Sequence, residues 1–457
     1  MGSSQTHIAM YPWLAMGHLT AFLHLANKLA KRGYRVSVII PKGKLPKLEP
    51  FNLHPDLITF VPITVPHVDG LPDGTETTSD VPFPLHSLVM TAMDRTEPIV
   101  GPLLNELKPH IIFYDFAYWL PRLARSIGVP AVHYCTVSTV TIGYTVCPAR
   151  KERLEELTEV DFMDPPAGYP DMSIRLHLHE ARPLTRTTLM EFGSHTRFFD
   201  RMFYSMDEAD AIAFRSCREI EDPYIVFIQE QYRKPVLLCG AVIPEPPTTQ
   251  LDETWASWLG QFGRGSVILC AFGSECTLKK EAFQELVLGL ELTGLPFIAA
   301  LKQPIGAESI DSALPEGFEE RTRGRGVVEG GWIQQQLILE HPAIGCFVTH
   351  CGSNSLTEAL VNQCQLVLLP HVGDQIFNAR MMGSKLKVGV EVEKDEADGA
   401  LRKEAVCRAI KAVMDEGSEQ GIEVRENHAR LREVLLDKGL DSSYTESFDN
   451  QLRNLIK

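Results

Sequence analysis

The sequence predicts an α/β protein of two parallel-sheet domains facing each other across a cleft. Three observations carry that expectation. Apolar runs of strand length alternate with helix-period segments in both halves of the chain, and each run ends in a polar residue or glycine. A proline-rich, polar and aperiodic stretch, VIPEPPTTQLDE at 242–253, divides the 457 residues into two parts, each long enough for its own core. Finally, Trp332 to Gln375 reads as a complete βαβ unit whose polar residues all fall just past strand ends, where open parallel sheets bind ligands.

In the first half, His7 to Tyr11 reads as a strand, and a loop from Pro12 to Gly17 leads to His18 and a helix. Leu19, Phe22, Leu23, Ala26, Leu29 and Ala30 give that helix one buried face, and Lys31, Arg32 and Gly33 close it. Val36 to Ile40 is the next strand. His18 therefore stands where a strand hands over to its helix, either as a functional group open to a cleft or as a simple cap or solvent-facing loop residue. His24, on the same helix, reads as structural. Pro41 to Pro109 reads as proline-rich surface connection. His110 to Tyr114 is a short buried strand followed directly by Asp115, which alone would more often cap a helix but pairs naturally with His18 at an equivalent strand end. Phe116, Tyr118 and Trp119 read as core, with the wall of a ligand pocket as the alternative. Val129 to Cys135, Ala209 to Phe214 and Val236 to Cys239 are further strands. Residues 148–200 form a charged, proline-rich region in which His177 and His179 lack the carboxylates or cysteines of a metal site.

In the second half, strands are expected at Ser266 to Phe272, Phe297 to Leu301 and Gly326 to Val328, with helices at Phe283 to Leu292 and Ala400 to Met414. Gly273 and Ser274, past the first of these strands, form either a phosphate contact or a plain turn. Within 332–375, Gln334 to Glu340 is helical, Ile344 to Val348 a strand ending at His350, and Leu366 to Leu369 a second strand with Asp374 and Gln375 on the loop after it. A helix starting at Ser353–Asn354–Ser355 after Gly352 offers free backbone N–H groups and a positive dipole end to a diphosphate. His350 can add a hydrogen bond or a charge there, Glu358 shares a face with Asn354 and suits two ribose hydroxyls, and Trp332 offers a flat surface to a base. Asp374 and Gln375 supply what a polyhydroxylated sugar needs. The closing segment puts Tyr444, Phe448, Leu452 and Leu455 on one stripe, opened by a Ser443–x–x–Glu446 capping box.

The formal net charge of −15 argues against a nucleic-acid or anionic-membrane surface but not against a small anion held by local donors. Ten scattered cysteines without a CxxC pair read as free thiols of a reducing cytosol. The N-terminal MGSSQT fits a myristoylation pattern only superficially, because a strand begins within a few residues; neither a signal peptide nor a membrane span is expected. The Gly324–Arg325–Gly326 triplet lacks the full dinucleotide fingerprint, which weighs against an NAD-dependent oxidoreductase.

The 44 positions from Trp332 to Gln375, with their HCGxNS…E…DQ frame, resemble the nucleotide-sugar signature of plant family 1 UDP-dependent glycosyltransferases. WLAMGHLTAFLHLANKLA resembles that family's catalytic-histidine stretch, and FYDFAYWLP the context of its partner aspartate. Two positions depart: Ser353 stands where the family usually has Trp, and Gln334 where it has Pro. The resemblance implies two Rossmann-like domains in the GT-B arrangement: an acceptor domain over 1–241, a linker over 242–253, a donor domain over 254–438, and a helix over 439–457 that returns to the first domain. It implies His18 as general base and Asp115 as its partner, with donor contacts from Ser274, Trp332, Ile333, Gln335, His350, Gly352, Ser353, Asn354, Ser355, Glu358, Asp374 and Gln375. No metal or other cofactor is expected. The chain as a whole resembles the branch-forming enzymes that add a sugar to a flavonoid or anthocyanin glycoside, which implies UDP-glucose as donor and the 2″ hydroxyl of a 3-O-glucoside as acceptor. UDP-xylose, UDP-galactose or UDP-rhamnose, and an aglycone or terpenoid glycoside, are the alternatives. A cytoplasmic monomer with small-molecule partners follows. A nucleotide-sugar epimerase would need no His18–Asp115 pair, and a non-catalytic nucleotide-sugar binder would keep Glu358 and Asp374 without needing His18.

Overall fold

Two all-parallel sheets, each wound in both directions from its middle, organise the chain. They are seen in a computed structural model that describes residues 5–241, 243, 249–273 and 276–457. The first sheet contains β1 (His7–Tyr11), β2 (Arg35–Pro41), β3 (Ile58–Ile63), β4 (Ile111–Tyr114), β5 (Ala131–Cys135), β6 (Ala211–Phe214) and β7 (Val236–Leu238), in the order β3-β2-β1-β4-β5-β6-β7. The second contains β8 (Val267–Ala271), β9 (Phe297–Ala300), β10 (Gly326–Glu329), β11 (Ile344–Thr349), β12 (Gln365–Leu368) and β13 (Gly389–Glu391), in the order β10-β9-β8-β11-β12-β13. Strand order reverses between β1 and β4 in one sheet and between β8 and β11 in the other, and these switch points are where such sheets open a crevice. The central strands are apolar on both faces because helices cover both, as a parallel sheet requires.

Three apolar layers result. Outer layers lie on the far face of each sheet, and a continuous inner layer runs through both halves, joining Tyr144 to Phe377 at a ring-centroid distance of 4.7 Å. Polar ties cross between the halves as well. Arg380 of the second half donates to both carboxylate oxygens of Glu180 at 2.9 Å, and the Ser138 hydroxyl donates to Asn378 at 3.1 Å.

The region from Pro41 to Pro109, read from sequence as surface connection, holds β3 and three helices, the single turn Leu45–Leu48 and the longer His86–Asp94 and Glu97–Leu107. Proline disguised them. Pro62 is tolerated because β3 is an edge strand, and Pro98 sits in the first helical turn, where its missing N–H has no partner to lose. Residues 148–200 likewise contain a helix, Leu178–Leu189, whose entry is fixed by the His177 N–H donating to Glu180 at 2.9 Å. Asp374 and Gln375 open the helix Asp374–Arg380 rather than lying on a loop. Of the expected linker 242–253, residues 242 and 244–248 lie outside the described residues, and Glu253 already opens a helix, Glu253–Leu259. The myristoylation pattern also falls largely on residues outside them, 1–4.

The closing helix, Lys438–Ile456, packs on the first half, where Phe448 and Leu452 join the outer layer of the first sheet. Lys28 pairs with Asp441 at 2.6 Å. The expected capping box at Ser443–Glu446 is not formed. Ser443 lies inside the helix and its hydroxyl donates back to the Leu440 carbonyl, while Asp437 caps the true start through the Gly439 N–H. All ten cysteines are free thiols. Among the described residues no helix is long and apolar enough to cross a membrane. Truncating Phe448 to Ala is expected to cost about 3–5 kcal/mol, the usual range for removing a buried phenyl ring. Urea unfolding followed by circular dichroism checks this, and an unchanged midpoint would mean that the closing helix does not hold the first half.

Candidate active site

The pairing of β1 with β4 aligns Tyr11 with Tyr114, so the residues leaving both strands meet at one edge of the first sheet. Asp115, directly after β4, is buried to 2% exposure. One of its carboxylate oxygens accepts from the Trp13 N–H, and the other lies 2.5 Å from Nδ1 of His18 in the first turn of helix Met16–Ala30. Burial pushes the Asp115 carboxyl up, and His18 and the Trp13 N–H pull it back toward the charged form. A carboxylate can only accept, so Nδ1 carries the proton and Nε2 is left as the basic nitrogen. Asp115 caps no helix; the next one begins at Leu120.

Phe116 holds φ +47°, a conformation costing a non-glycine residue on the order of 1–3 kcal/mol. Packing offsets it. Its ring stacks on Trp13 at 5.7 Å and meets the His18 ring edge-on at 5.5 Å, and its carbonyl accepts from buried Arg201. Phe116 is buried among these contacts and Trp119 against Tyr11 at 5.9 Å, while Tyr118 is only half-buried, with Arg201 over its ring. Thr136, the residue after β5, lies 3.1 Å from His18 Nδ1 and 3.5 Å from Nε2. Sequence reading passed over it, although the rule that marked His18 and Asp115, a polar residue directly past a strand of the same sheet, also points to Thr136.

The second half repeats the design. β8 pairs with β11 so that Ala271 aligns with Thr349, and Gly273 and His350 meet past the strand ends. The His350 ring lies between two glycines. A Cβ on Gly352 would fall 2.5 Å from Nε2, and one on Gly273, whose φ is +67°, would fall 3.1 Å from Cε1. Burial lowers the His350 pKa to about 4, so of the two roles open to it in sequence, hydrogen bond or charge, His350 brings the neutral hydrogen-bonding group. Ser274, expected beside it, lies outside the described residues.

Helix Ser353–Leu360 starts after Gly352 with no acidic residue in its first turn. Asn354 and Ser355 lie in that turn. Glu358, one turn on, accepts from Gln335 Nε2 at 2.7 Å, and the same amide reaches Ser355 Oγ at 3.3 Å. Burial pushes the Glu358 carboxyl up, while Gln335 and the nearby charge of Arg215 hold it down. Trp332 is 87% exposed on the loop leading to this helix pair, with its indole free to take a flat partner. Ile333 buries its side chain in the core. Gln334 ties down the joining segment, accepting from Asp252 N–H at 2.7 Å and donating to the Gln250 carbonyl at 3.0 Å.

Gln375 accepts from the N–H groups of His371 and Val372 at 3.1 and 3.2 Å, which turns its amide N–H2 to the outside as a donor. Asp374 accepts from Asn378 at 3.3 Å, and Asn378 is in turn the group that Ser138 of the first half reaches. Burial raises the Asp374 pKa to about 6, and the hydrogen bond from its own backbone N–H counters part of that rise. The helix that Asp374 opens therefore touches the strand-end edge of the first sheet through Ser138, which follows β5.

A profile described as UDP-glucoronosyl and UDP-glucosyl transferase matches residues 205–440. A protein of Actinidia chinensis var. chinensis named cyanidin 3-O-galactoside 2″-O-xylosyltransferase is 62% identical over 456 residues, spanning 100% of both chains. The chain belongs to this UDP-glycosyltransferase family. A second full-length relative, 56% identical over 458 residues and spanning 100% of both chains, is the anthocyanidin 3-O-glucoside 2″-O-glucosyltransferase of Ipomoea nil. Among solved structures, UGT73P12 of Glycyrrhiza uralensis, complexed with glycyrrhetinic acid 3-O-monoglucuronide, superimposes with a TM-score of 0.80 at 21% identity, over 99% of this chain and 96% of that one. Phytolacca americana UGT2, complexed with UDP-2fluoro-glucose and pterostilbene, gives 0.75 at 23% identity, over 98% and 100%. These likenesses give the fold, the GT-B arrangement of plant UDP-glycosyltransferases, and the family makes the protein an enzyme that uses a UDP-sugar.

Asp374 offers a sign-definite test of the site's electrostatics. Its folded pKa of about 6 lies above the ordinary aspartate value, so the folded state binds the proton more tightly than the unfolded chain. That contribution is fully present below about pH 4 and is lost as pH rises through about 6, leaving a half-buried charge that opposes folding by on the order of 3 kcal/mol at neutral pH. Asp374→Asn is expected to raise the unfolding temperature at pH 7.5, with the gain fading toward pH 4. Thermal scans across that range check it, and a gain independent of pH would assign the effect to something other than this carboxyl.

Proposed function

We propose that this UDP-glycosyltransferase transfers glucose, with inversion, from UDP-glucose to the 2″ hydroxyl of a flavonoid or anthocyanin 3-O-glycoside. The observation that carries the reading is the contact of His18 with buried Asp115 past the switch point of the first sheet, at the edge that the helix opened by Asp374 touches through Ser138. The acceptor hydroxyl gives its proton to His18 Nε2 while its oxygen attacks the anomeric carbon. The bond from that carbon to the diphosphate oxygen breaks, and UDP leaves from the opposite face. Asp115 fixes the tautomer and stabilises the imidazolium as it forms, in the manner of a buried triad carboxylate.

Negative charge grows on the diphosphate as this bond breaks, and the start of helix Ser353–Leu360, with Asn354, Ser355 and neutral His350, is the part of the site suited to hold it. Glu358, oriented by Gln335, takes the ribose hydroxyls, Trp332 takes the uracil face, and Asp374 and Gln375 take the sugar. The sugar-on-sugar acceptor is supported by the two full-length relatives, both named as enzymes that act on anthocyanidin-type 3-O-glycosides at 2″. A second donor, UDP-xylose, is favoured by the 62% identical relative, named as a xylosyltransferase. The same reading takes the enzyme as a cytosolic monomer working without a metal ion.

A screen of UDP-glucose, UDP-xylose, UDP-galactose and UDP-rhamnose against cyanidin and its 3-O-glucoside and 3-O-galactoside, with products read by mass spectrometry, tests it. Transfer to the glycosides and not to cyanidin is expected; preference for the aglycone would overturn the branching role. His18→Ala is expected to lower kcat by about 10² to 10⁴ while UDP still binds, the range for losing a general base. Unchanged turnover would remove His18 from that role. Activity is expected to survive EDTA, and rescue of an EDTA-sensitive enzyme by Mg²⁺ or Mn²⁺ would overturn the metal-free reading.

A further inference from the structure

Arg215 directly follows β6, so it leaves the first sheet at the same edge as Asp115 and Thr136. Its guanidinium does not stay within its own half. Nε donates to the Ala241 carbonyl at 3.0 Å, where the chain departs for the second half. Nη1 donates to Oδ1 of Asn354, in the first turn of helix Ser353–Leu360. Nη2 is buried and has no hydrogen-bond partner among the described residues.

Three physical consequences follow. Guanidinium has no acceptor, so Asn354 must turn its oxygen toward it, and the groups the amide keeps for a ligand are its two N–H donors, the polarity a phosphate oxygen needs. The group stays charged even where burial lowers its pKa, and that charge is felt by Glu358. A cation with one unpaired, buried N–H is costly to keep unless something later satisfies it, and an anionic oxygen of the nucleotide is the natural partner. A purely structural arginine would be expected to use all of its forks.

We propose that Arg215, supplied by the acceptor half, is a positioning residue for the nucleotide-sugar: it sets the Asn354 amide and holds the donor helix in register, so the diphosphate site is complete only when the two halves are docked. This deepens the proposed UDP-sugar site and rests on that reading.

Calorimetric titration with UDP, thermal unfolding, and steady-state kinetics with separate KM values for nucleotide-sugar and glycoside test it on the full-length enzyme. Arg215→Met is expected to weaken UDP binding and raise the nucleotide-sugar KM by about tenfold or more, with the glycoside KM within about twofold of the parent. Arg215→Lys, which keeps charge but not the fork, is expected to recover part of the UDP affinity. Combining Arg215→Met with Asn354→Ala is expected to cost little more than either change alone, because the two act through one contact. Unchanged UDP affinity in a well-folded Arg215→Met, or in Arg215→Lys should the first variant not fold, would overturn the proposal while leaving the enzyme's UDP-sugar chemistry intact. Additive losses accompanied by equal rises in both KM values would assign Arg215 to interface stability alone and overturn it too. A parent enzyme that binds no UDP would instead bring down the underlying reading.

Discussion

Asp115 is a carboxylate carried into the interior of the first half, and the surrounding chain is arranged so that it can stay charged. A buried anion needs donors of fixed position, because water cannot reorganise around it. Trp13 and His18 provide them, and both belong to the connection that follows β1. The pair therefore exists only because β1 and β4 are neighbours in register, Tyr11 against Tyr114. A slip of one residue would turn each side chain to the opposite face. Register, then, is the constraint on which the contact between His18 and Asp115 rests. The left-handed backbone of Phe116 is part of the same arrangement: the turn after β4 must reverse sharply to keep Asp115 pointing at the switch point, and the aromatic packing of Trp13 and Phe116 absorbs the strain.

The second sheet meets the same geometric demand with different chemistry. Cys351, directly after His350, also adopts a left-handed conformation at φ +67°, so both sheets turn sharply just past the switch point. In the first half the turn delivers a charge. In the second it delivers a neutral imidazole pressed between Gly273 and Gly352, positions where a side chain would collide with the ring. Glycine is required at these two places for close approach, and at Gly273 also for a positive φ.

Much of this was legible in the sequence, for a physical reason. Strands buried on both faces read as short apolar runs, and in parallel sheets polar residues placed directly after them are candidates, so position marked His18, Asp115, His350 and the start of helix Ser353–Leu360, while their roles came from the family resemblance. What hid was of two kinds. Elements containing proline, such as β3 with Pro62 and the helix Glu97–Leu107 with Pro98 and Pro102, look like loops until edge position and first-turn geometry are known. Properties set by packing across the halves were also invisible. Neither the neutrality of His350 nor the reach of Arg215 to Asn354 follows from spacing, because both depend on which distant residues close over them. The supposed capping box at Ser443 shows the converse: a local pattern fits, but the helix begins earlier because Asp437 and the contacts of Lys28 with Asp441 fix its start.

The electrostatics of the cleft then resolve into a division of labour between two helix starts. The chain carries a formal net charge of −15, and His350 is neutral, so a diphosphate cannot be drawn in by overall charge. Helices Ser353–Leu360 and Asp374–Arg380 both begin at the cleft, and each presents a partial positive charge there. The second is already occupied by its own first residue, Asp374, whose carboxylate offsets the dipole and is partly compensated for burial by it. The first has no acidic residue in its opening turn, so its N–H groups and dipole remain uncompensated by the protein. An anion is favoured at the first end and repelled at the second, whereas hydroxyl groups are accepted at the second. In the proposed reading, a UDP-sugar laid with its diphosphate at the first end and its sugar at the second would meet both preferences before any residue contacts its reacting carbon.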